Sequence, residues 1–64
     1  MTRIRRAGYV FLTWIGDHSP RHVHVYQDGE FVVKWDLDNK LPMQGKATRR
    51  ILRLIEELES EGLL

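Results

Sequence analysis

Residues 22–36 read HVHVYQDGEFVVKWD, two runs rich in valine and aromatic residues on either side of an Asp-Gly pair. Residues of these types favour β-strands, and Asp-Gly between two such runs is the strongest short-range sign of a β-hairpin. The sequence therefore predicts strands over about 22–26 and 30–37, joined by a turn at Asp28 and Gly29.

Two registers are open to this hairpin, and they place the histidines on opposite faces of the sheet. A two-residue turn at Asp28 and Gly29 would put His24 opposite Val33. A three-residue loop over 27–29, with a bulge at its glycine, shifts the pairing by one residue, to Val25 with Phe31 and Val23 with Val33. That shift gives one apolar face, made of Val23, Val25, Phe31, Val33 and Trp35. The other face is more polar and holds His22, His24, Val32, Lys34 and Asp36. The cleaner separation favours the three-residue loop and predicts that both histidines lie away from the core.

The segments around the hairpin complete a small α+β fold. Residues 9–15 read YVFLTWI and predict a strand, and residues 38–45 predict a loop. A helix is expected from Lys46 or Ala47 to Ser60, with Gly62 as its C-cap and one apolar stripe of Ala47, Ile51, Leu54, Ile55 and Leu58. The expected order is β-β-β-α: a three-stranded antiparallel sheet with one C-terminal helix packed on one face. A chain of 64 residues makes a single domain, 1–64, with a thin core and no cysteine to reinforce it. A protein partner or a homo-oligomer would add stability.

The first predicted strand has apolar residues on both of its faces. If Leu12 and Trp14 lie beside the histidines, they form an apolar patch of the kind that marks a protein contact. The alternative is a strand partly covered by the N-terminal segment. The sequence does not decide between these two arrangements.

Charge is unevenly distributed along the chain. Residues 1–55 carry all ten lysines and arginines and five acidic residues, a balance of +5, whereas the last nine residues carry four glutamates. The basic body indicates an anionic partner, with RNA as one candidate and a protein as another. No apolar run approaches the roughly 20 residues of a membrane span, and the first residues lack the pattern of a signal peptide. We therefore expect a cytoplasmic protein without a membrane partner.

Three histidines, the only ones in the chain, lie within seven residues: His18, His22 and His24. Because histidine titrates near neutral pH, His24 and His22 are candidates for the general base and acid of a metal-independent ribonuclease. The phosphate would be held by basic residues near the histidines and at the start of the helix: Arg21, Lys34, Lys46, Arg49 and Arg50. Arginines at this end of a helix run against its dipole, which favours an anion site there; the alternative is a solvated helix face.

Two other functions fit the same histidines. His22 and His24 project from one face of a strand, and His18 could fold back to complete a three-histidine site for a divalent metal such as zinc, with Asp17 or Asp36 orienting a ligand. Otherwise, no cofactor is expected. The third hypothesis is a non-catalytic module that docks a protein or a nucleic acid.

Residues 18–25, read HSPRHVHV, resemble the H-x-P-P-H-x-H-V signature of a small prokaryotic family, the domain of unknown function numbered four-one-six-zero. The resemblance extends to Gly45 and Lys46, and this chain has Arg21 where the second proline is common. It implies a toxin-like component of a toxin–antitoxin-type module with an antitoxin-like protein partner. The layout from His22 to Leu52 also resembles that of HicA-type ribonuclease toxins, although the short N-terminal helix of that fold has no equivalent before Tyr9.

Overall fold

A computed structural model describes residues 2–14 and 21–64 of the protein. Its elements are five strands and one helix: β1 (Thr2–Arg6), β2 (Tyr9–Thr13), β3 (His22–Gln27), β4 (Glu30–Asp36), β5 (Leu41–Gly45) and α1 (Arg49–Ser60). The strands form one antiparallel sheet in the order β1-β2-β3-β4-β5, so each strand pairs with its neighbour in the chain. The α+β class and the packing of the C-terminal helix on one face are confirmed, but the three-stranded sheet predicted from the sequence is wrong.

The two additional strands lie at the edges of the sheet. β1 joins β2 through a two-residue turn in which Ala7 and Gly8 both have positive φ, 53° and 84°. β5 occupies the segment predicted as a loop, and its Pro42 lies opposite Trp35. Proline lacks an N–H group and is tolerated only where a strand has a free side, which is the position of β5.

The central hairpin combines a tight turn with a bulge farther along β4. Asp28 and Gly29 have φ values of 53° and 78°, so they form a two-residue turn and Tyr26 lies opposite Phe31. The register then shifts, and Val25 lies opposite Val33, which makes Val32 the extra residue. The predicted three-residue loop is therefore wrong, and so are the predicted pairs of Val25 with Phe31 and Val23 with Val33.

The bulge nevertheless gives the histidines their predicted orientation. Val23 and Val25 are fully buried, whereas His22 and His24 are half-buried on the other side of β3. Phe31, which was expected on the apolar face, is 41% exposed and contacts His24 instead. We call the side of the sheet that carries the histidines, opposite α1, the open face.

The core lies between the sheet and α1. The helix buries four residues of one stripe: Ile51, Leu54, Ile55 and Leu58. They pack against six apolar residues of the sheet (Tyr9, Phe11, Val23, Val25, Val33 and Trp35) and against Leu37, which follows β4. This stripe agrees with the predicted one except at Ala47, which precedes the helix and is half-buried. Within the described residues, no helix has the length and apolar character needed to cross a membrane.

Both ends of α1 are capped. Thr48 is the N-cap, and its hydroxyl accepts the Ile51 backbone N–H at 3.2 Å, so the helix begins later than predicted. At the other end Gly62 has a φ of 77°, and the Leu63 N–H donates to the Leu58 carbonyl at 2.9 Å. This arrangement is a Schellman motif, which confirms that Gly62 ends the helix.

An ion pair joins the first strand to the end of the helix. The Arg6 guanidinium donates to both carboxylate oxygens of Glu61, at 2.6 and 2.8 Å, and also lies 3.9 Å from Glu57. The contact lowers the pKa of Glu61, chiefly through the hydrogen bonds from Arg6. Arg6 thus neutralises part of the acidic helix end.

Candidate functional site

The open face carries two rows of side chains that cross the strands at right angles. Because residues directly opposite each other in a sheet share a face, the register defines both rows. The first row runs over all five strands as Arg3, Leu12, His24, Lys34 and Gln44, and the second runs over four as Arg5, Val10, Tyr26 and Phe31. The open face is therefore built from basic and aromatic side chains around an apolar centre.

His24 lies in a cluster of aromatic rings. The edge of Trp14 meets its imidazole at a centroid distance of 4.7 Å and an angle of 87°, and Phe31 lies 6.4 Å away. The His22 ring is 5.3 Å from the His24 ring. Trp14 and Phe31 remain 40% and 41% exposed, so two solvent-accessible aromatic rings lie beside the His24 imidazole.

The placement of Trp14 settles the orientation of the first predicted strand. Trp14 contacts His24, and Leu12 lies directly opposite His24, so both belong to the open face. The N-terminal segment also covers this strand along one edge, as β1. Both arrangements considered from the sequence are therefore present together, while Ile15 lies outside the described residues.

Asp36 lies opposite His22 and is buried, with 6% of its surface exposed. Its carboxylate accepts the backbone N–H groups of Asp38 and Asn39, both at 2.9 Å, and the Asn39 side-chain amide at 2.8 Å. The Asn39 hydrogen bonds, followed by those from Asp38 and the charge of His22, lower the pKa of Asp36. Asp36 thus closes the β4–β5 turn as a carboxylate and supplies negative charge behind His22.

The predicted phosphate-binding residues fall into two groups. Lys34 is half-buried on the open face, directly opposite His24. Arg21 lies beside His22 in a small cavity that also contains Trp14. Arg49 and Arg50 are exposed at the start of α1, which packs behind the sheet, and Lys46 is exposed between β5 and α1. The structure brings His22, His24 and Lys34 together but does not join the helix start to them.

Arg21 is engaged by a carboxylate of its own. Its backbone N–H and its Nε donate to Asp38, at 2.9 and 3.1 Å, and these bonds lower the pKa of Asp38. The Arg21 carbonyl also accepts the Leu37 N–H at 2.8 Å. Arg21 therefore fixes the entry to β3 against the β4–β5 turn, and a phosphate would have to share its guanidinium with Asp38.

The three-histidine metal site involves a residue that the structure does not describe. His18 and Asp17 lie outside the described residues. Within residues 2–14 and 21–64, no group of three or more histidine or acidic side chains is placed to hold a metal ion. The metal site with His18, His22 and His24 stays a prediction.

Four residues of the open face were missed by sequence reasoning: Arg3, Arg5, Tyr26 and Phe31. The two arginines were missed because β1 was not recognised, although basic residues alternate with Thr2 and Ile4 before the Ala7-Gly8 pair. Phe31 was missed because the position of the bulge was wrong.

Comparison with known proteins identifies a family but no characterised relative. No curated protein and no solved structure matches the chain significantly. A family model described as Domain of unknown function (DUF4160) matches residues 8–61, which are 54 of the 64 residues and include the hairpin, both histidines of β3 and all of α1. Because the match covers well over half of the chain, the protein belongs to this family of domains of unknown function.

Proposed function

We propose that the protein is a toxin-like component of a prokaryotic toxin–antitoxin-type module, and that it binds and cleaves single-stranded RNA on its open face. One observation carries the proposal: His22 and His24 lie side by side on that face, with Lys34 directly opposite His24. Two adjacent imidazoles and a cation on the neighbouring strand match the needs of phosphodiester cleavage, which are a base, an acid and a positive charge.

In the proposed reaction His24 acts as the base and His22 as the acid. Neutral His24 removes the proton from a ribose 2′-hydroxyl, and the oxygen attacks the adjacent phosphorus. The bond from phosphorus to the 5′-oxygen breaks as protonated His22 donates a proton to that oxygen. The products are a 2′,3′-cyclic phosphate and a free 5′-hydroxyl, and no metal ion takes part. Lys34 stabilises the charge that develops on the phosphate.

Asp36 has a supporting role in this scheme. Its carboxylate is held by three hydrogen bonds from Asp38 and Asn39, and it lies opposite His22. We therefore assign Asp36 as a positioning residue.

Aromatic rings on the open face support a second function, RNA binding without cleavage. Trp14, Tyr26 and Phe31 lie on the same face as Arg3, Arg5 and Lys34. Rings that stack on bases, beside cations that contact phosphates, are the common device of proteins that bind single-stranded nucleic acids. This arrangement would also suit a protein that only captures RNA.

The test is cleavage of an end-labelled single-stranded RNA in the presence of EDTA. We expect products that end in a cyclic phosphate, a rate that passes through a maximum with pH, and a loss of about 10²–10⁴-fold in the His22→Ala and His24→Ala variants. Gln27→Ala, an exposed substitution on the same strand, serves as the matched control and should cleave like the wild type. Expression of the wild type, but not of His24→Ala, should arrest bacterial growth.

Three outcomes would contradict the proposed reaction. RNA binding without any product that depends on His24 would leave the binding function alone. Cleavage that requires added zinc and is lost in His18→Ala would replace the acid–base pair with the three-histidine metal site. Equal cleavage by wild type and both histidine variants would remove the open face from the chemistry.

A further inference from the structure

A concave region lies next to the histidines, at the end of the sheet that holds the β1–β2 turn and the turn of the central hairpin. It encloses about 740 Å³ and is lined chiefly by side chains of β1, β2 and β3: Arg3, Arg5, Val10, Leu12 and Tyr26, with Asp28 at the turn. We call it the β1–β3 cavity. None of these residues is used by the cleavage step described above.

The charge of the β1–β3 cavity is positive at its β1 wall. Arg6 also lines it, but its guanidinium is bound to Glu61. Arg3 and Arg5 are exposed, and within residues 2–14 and 21–64 no carboxylate forms a salt bridge with either of them. Asp28, at the turn, is the one carboxylate among the residues that line the cavity. Two exposed arginines outnumber the single carboxylate in the lining, which favours an anionic ligand.

The rest of the β1–β3 cavity is apolar and aromatic. Val10 lies between Arg5 and Tyr26 in the second row, and Leu12 lies between Arg3 and His24 in the first. Adjacent strands are about 4.8 Å apart, so the backbone of β1, which carries Arg3 and Arg5, lies about 10 Å from the backbone of β3. Val10 and Leu12 thus form an apolar floor, with the Tyr26 phenol on one side and the guanidinium groups of Arg3 and Arg5 on the other. This arrangement fits a ligand with a flat ring at one end and an anionic group at the other.

A nucleotide has these two ends, and the β1–β3 cavity lies within reach of the histidines. Tyr26 is two residues from His24 on the same face of β3, a separation of roughly 7 Å along the strand. A chain bound at His22 and His24 that continues by one nucleotide toward the turns would enter the cavity.

We infer that the β1–β3 cavity is a second RNA subsite, which holds the nucleotide that follows the two nucleotides joined by the phosphate at the histidines, with its base against Tyr26 and Val10 and its phosphate at Arg3 and Arg5. The inference rests on the proposed function, because it extends the same bound strand. It predicts that affinity depends on the length of the RNA and that this dependence comes from β1.

The experiment measures binding of fluorescent 2′-O-methyl oligoribonucleotides, which lack the attacking hydroxyl and are not cleaved. A dinucleotide and a hexanucleotide are titrated into the wild type by fluorescence anisotropy over a range of salt concentrations. We expect the Arg3→Gln/Arg5→Gln variant to bind the hexanucleotide about tenfold more weakly, with a salt slope smaller by about 0.7, because the one phosphate held by both arginines is no longer neutralised. Binding of the dinucleotide should not change.

Two further variants test the aromatic wall and the carboxylate. Tyr26→Leu should weaken hexanucleotide binding by roughly 5- to 100-fold, because base stacking is lost. Asp28→Asn keeps a residue that tolerates positive φ and removes the negative charge, so it should tighten hexanucleotide binding. Arg53→Gln, which removes an exposed arginine from the helix behind the sheet, is the matched control and should bind like the wild type. Circular dichroism verifies that each variant is folded.

The inference is overturned if the double arginine variant retains the full difference between hexanucleotide and dinucleotide, or if Asp28→Asn weakens binding. In either case cleavage of RNA that depends on His24 would leave the proposed function intact. If the wild type binds neither oligonucleotide and cleaves no RNA, the proposed function and the inference fail together.

Discussion

Val25 lies directly opposite Val33. The two-residue turn at Asp28 and Gly29 would by itself place Val25 opposite Val32. The difference is taken up at Val32, the extra residue of the bulge. Without that shift the alternation of β4 would put Lys34 on the same side as the valines of β3. A single extra residue thus keeps the core apolar and keeps Lys34 beside His24.

The bulge makes a prediction about deletions in β4. Removing Val32 leaves the faces of the flanking residues unchanged, because regular alternation then carries the strand from Phe31 on the open face to Val33 in the core. We expect this variant to fold, with a somewhat lower midpoint of thermal unfolding. Removing Lys34 instead would move Trp35 out of the core, and we expect that variant not to fold.

Circular dichroism and the emission of the buried Trp35 measure both deletions. An unfolded Val32 deletion, or a folded Lys34 deletion with native emission, would contradict the account of the register.

Gly45 is required by the close approach of β5 to the bulge. Its φ is 80°, and a Cβ atom at this position would overlap the carbonyl oxygen of Val32. Gly45→Ala should therefore cost more than about 3 kcal/mol, because backbone strain and a steric clash act together. Gly62→Ala is the matched control: its φ is 77° but nothing lies within 4 Å of the added atom, so roughly 1–2 kcal/mol is expected. Urea denaturation gives both values, and equal losses would show that the clash is relieved.

Asp36 should make stability depend on acid pH. Its folded-state pKa lies below the ordinary value of 3.8, so the carboxylate stabilises the fold at pH values above 3.8, and this stabilisation is lost as the pH falls through the lowered pKa. Asp36→Asn removes the charge and sets an amide group against the Asn39 amide. We expect a lower midpoint of unfolding near neutral pH and a shallower loss of stability in acid. Some slope should remain, because the pKa values of Asp38 and Glu61 are lowered as well.

Thermal melts between pH 2 and pH 7 test the role of Asp36. Gln27→Ala, which changes an exposed side chain that carries no charge, should leave the acid slope unchanged. A slope that is the same in the wild type and in Asp36→Asn would contradict the assignment.

Leu58 should be essential for stability, because it is fully buried between α1 and the sheet. Leu58→Ala is expected to cost about 2–5 kcal/mol, a large part of the roughly 3–10 kcal/mol that a domain of this size has in total. Leu41→Ala makes the same chemical change at a side chain that is 59% exposed, and should cost less than about 0.5 kcal/mol. Urea denaturation compares the two, and similar losses would argue against the core described above.

Sequence reasoning predicted the parts of the fold in which several signals coincide. The hairpin had two strand-forming runs and an Asp-Gly pair, and the helix had an apolar stripe and a C-terminal glycine. β1 and β5 are short edge strands without a clear apolar pattern, and Pro42 argued against a strand. Their existence depends on pairing with β2 and β4, which a pattern in one segment does not report.

The candidate site was predicted in the same uneven way. His22 and His24 were placed correctly because the apolar face of β3 is unambiguous at Val23 and Val25. The bulge that makes this placement compatible with a tight turn was missed, since two adjacent valines at 32 and 33 give no sign of which one is extra. Arg3 and Arg5 were missed together with β1.

Pro42 and the arginines of β1 have a consequence for the behaviour of the protein at high concentration. A sheet that ends in unpaired strands can add strands from other molecules, which leads to aggregation. At one edge Pro42 offers no N–H group to a new strand, and at the other Arg3 and Arg5 would repel the same edge of a second copy. Both edges thus resist the addition of further strands. Copies of this chain would therefore associate through the faces of their sheets rather than edge to edge into fibres.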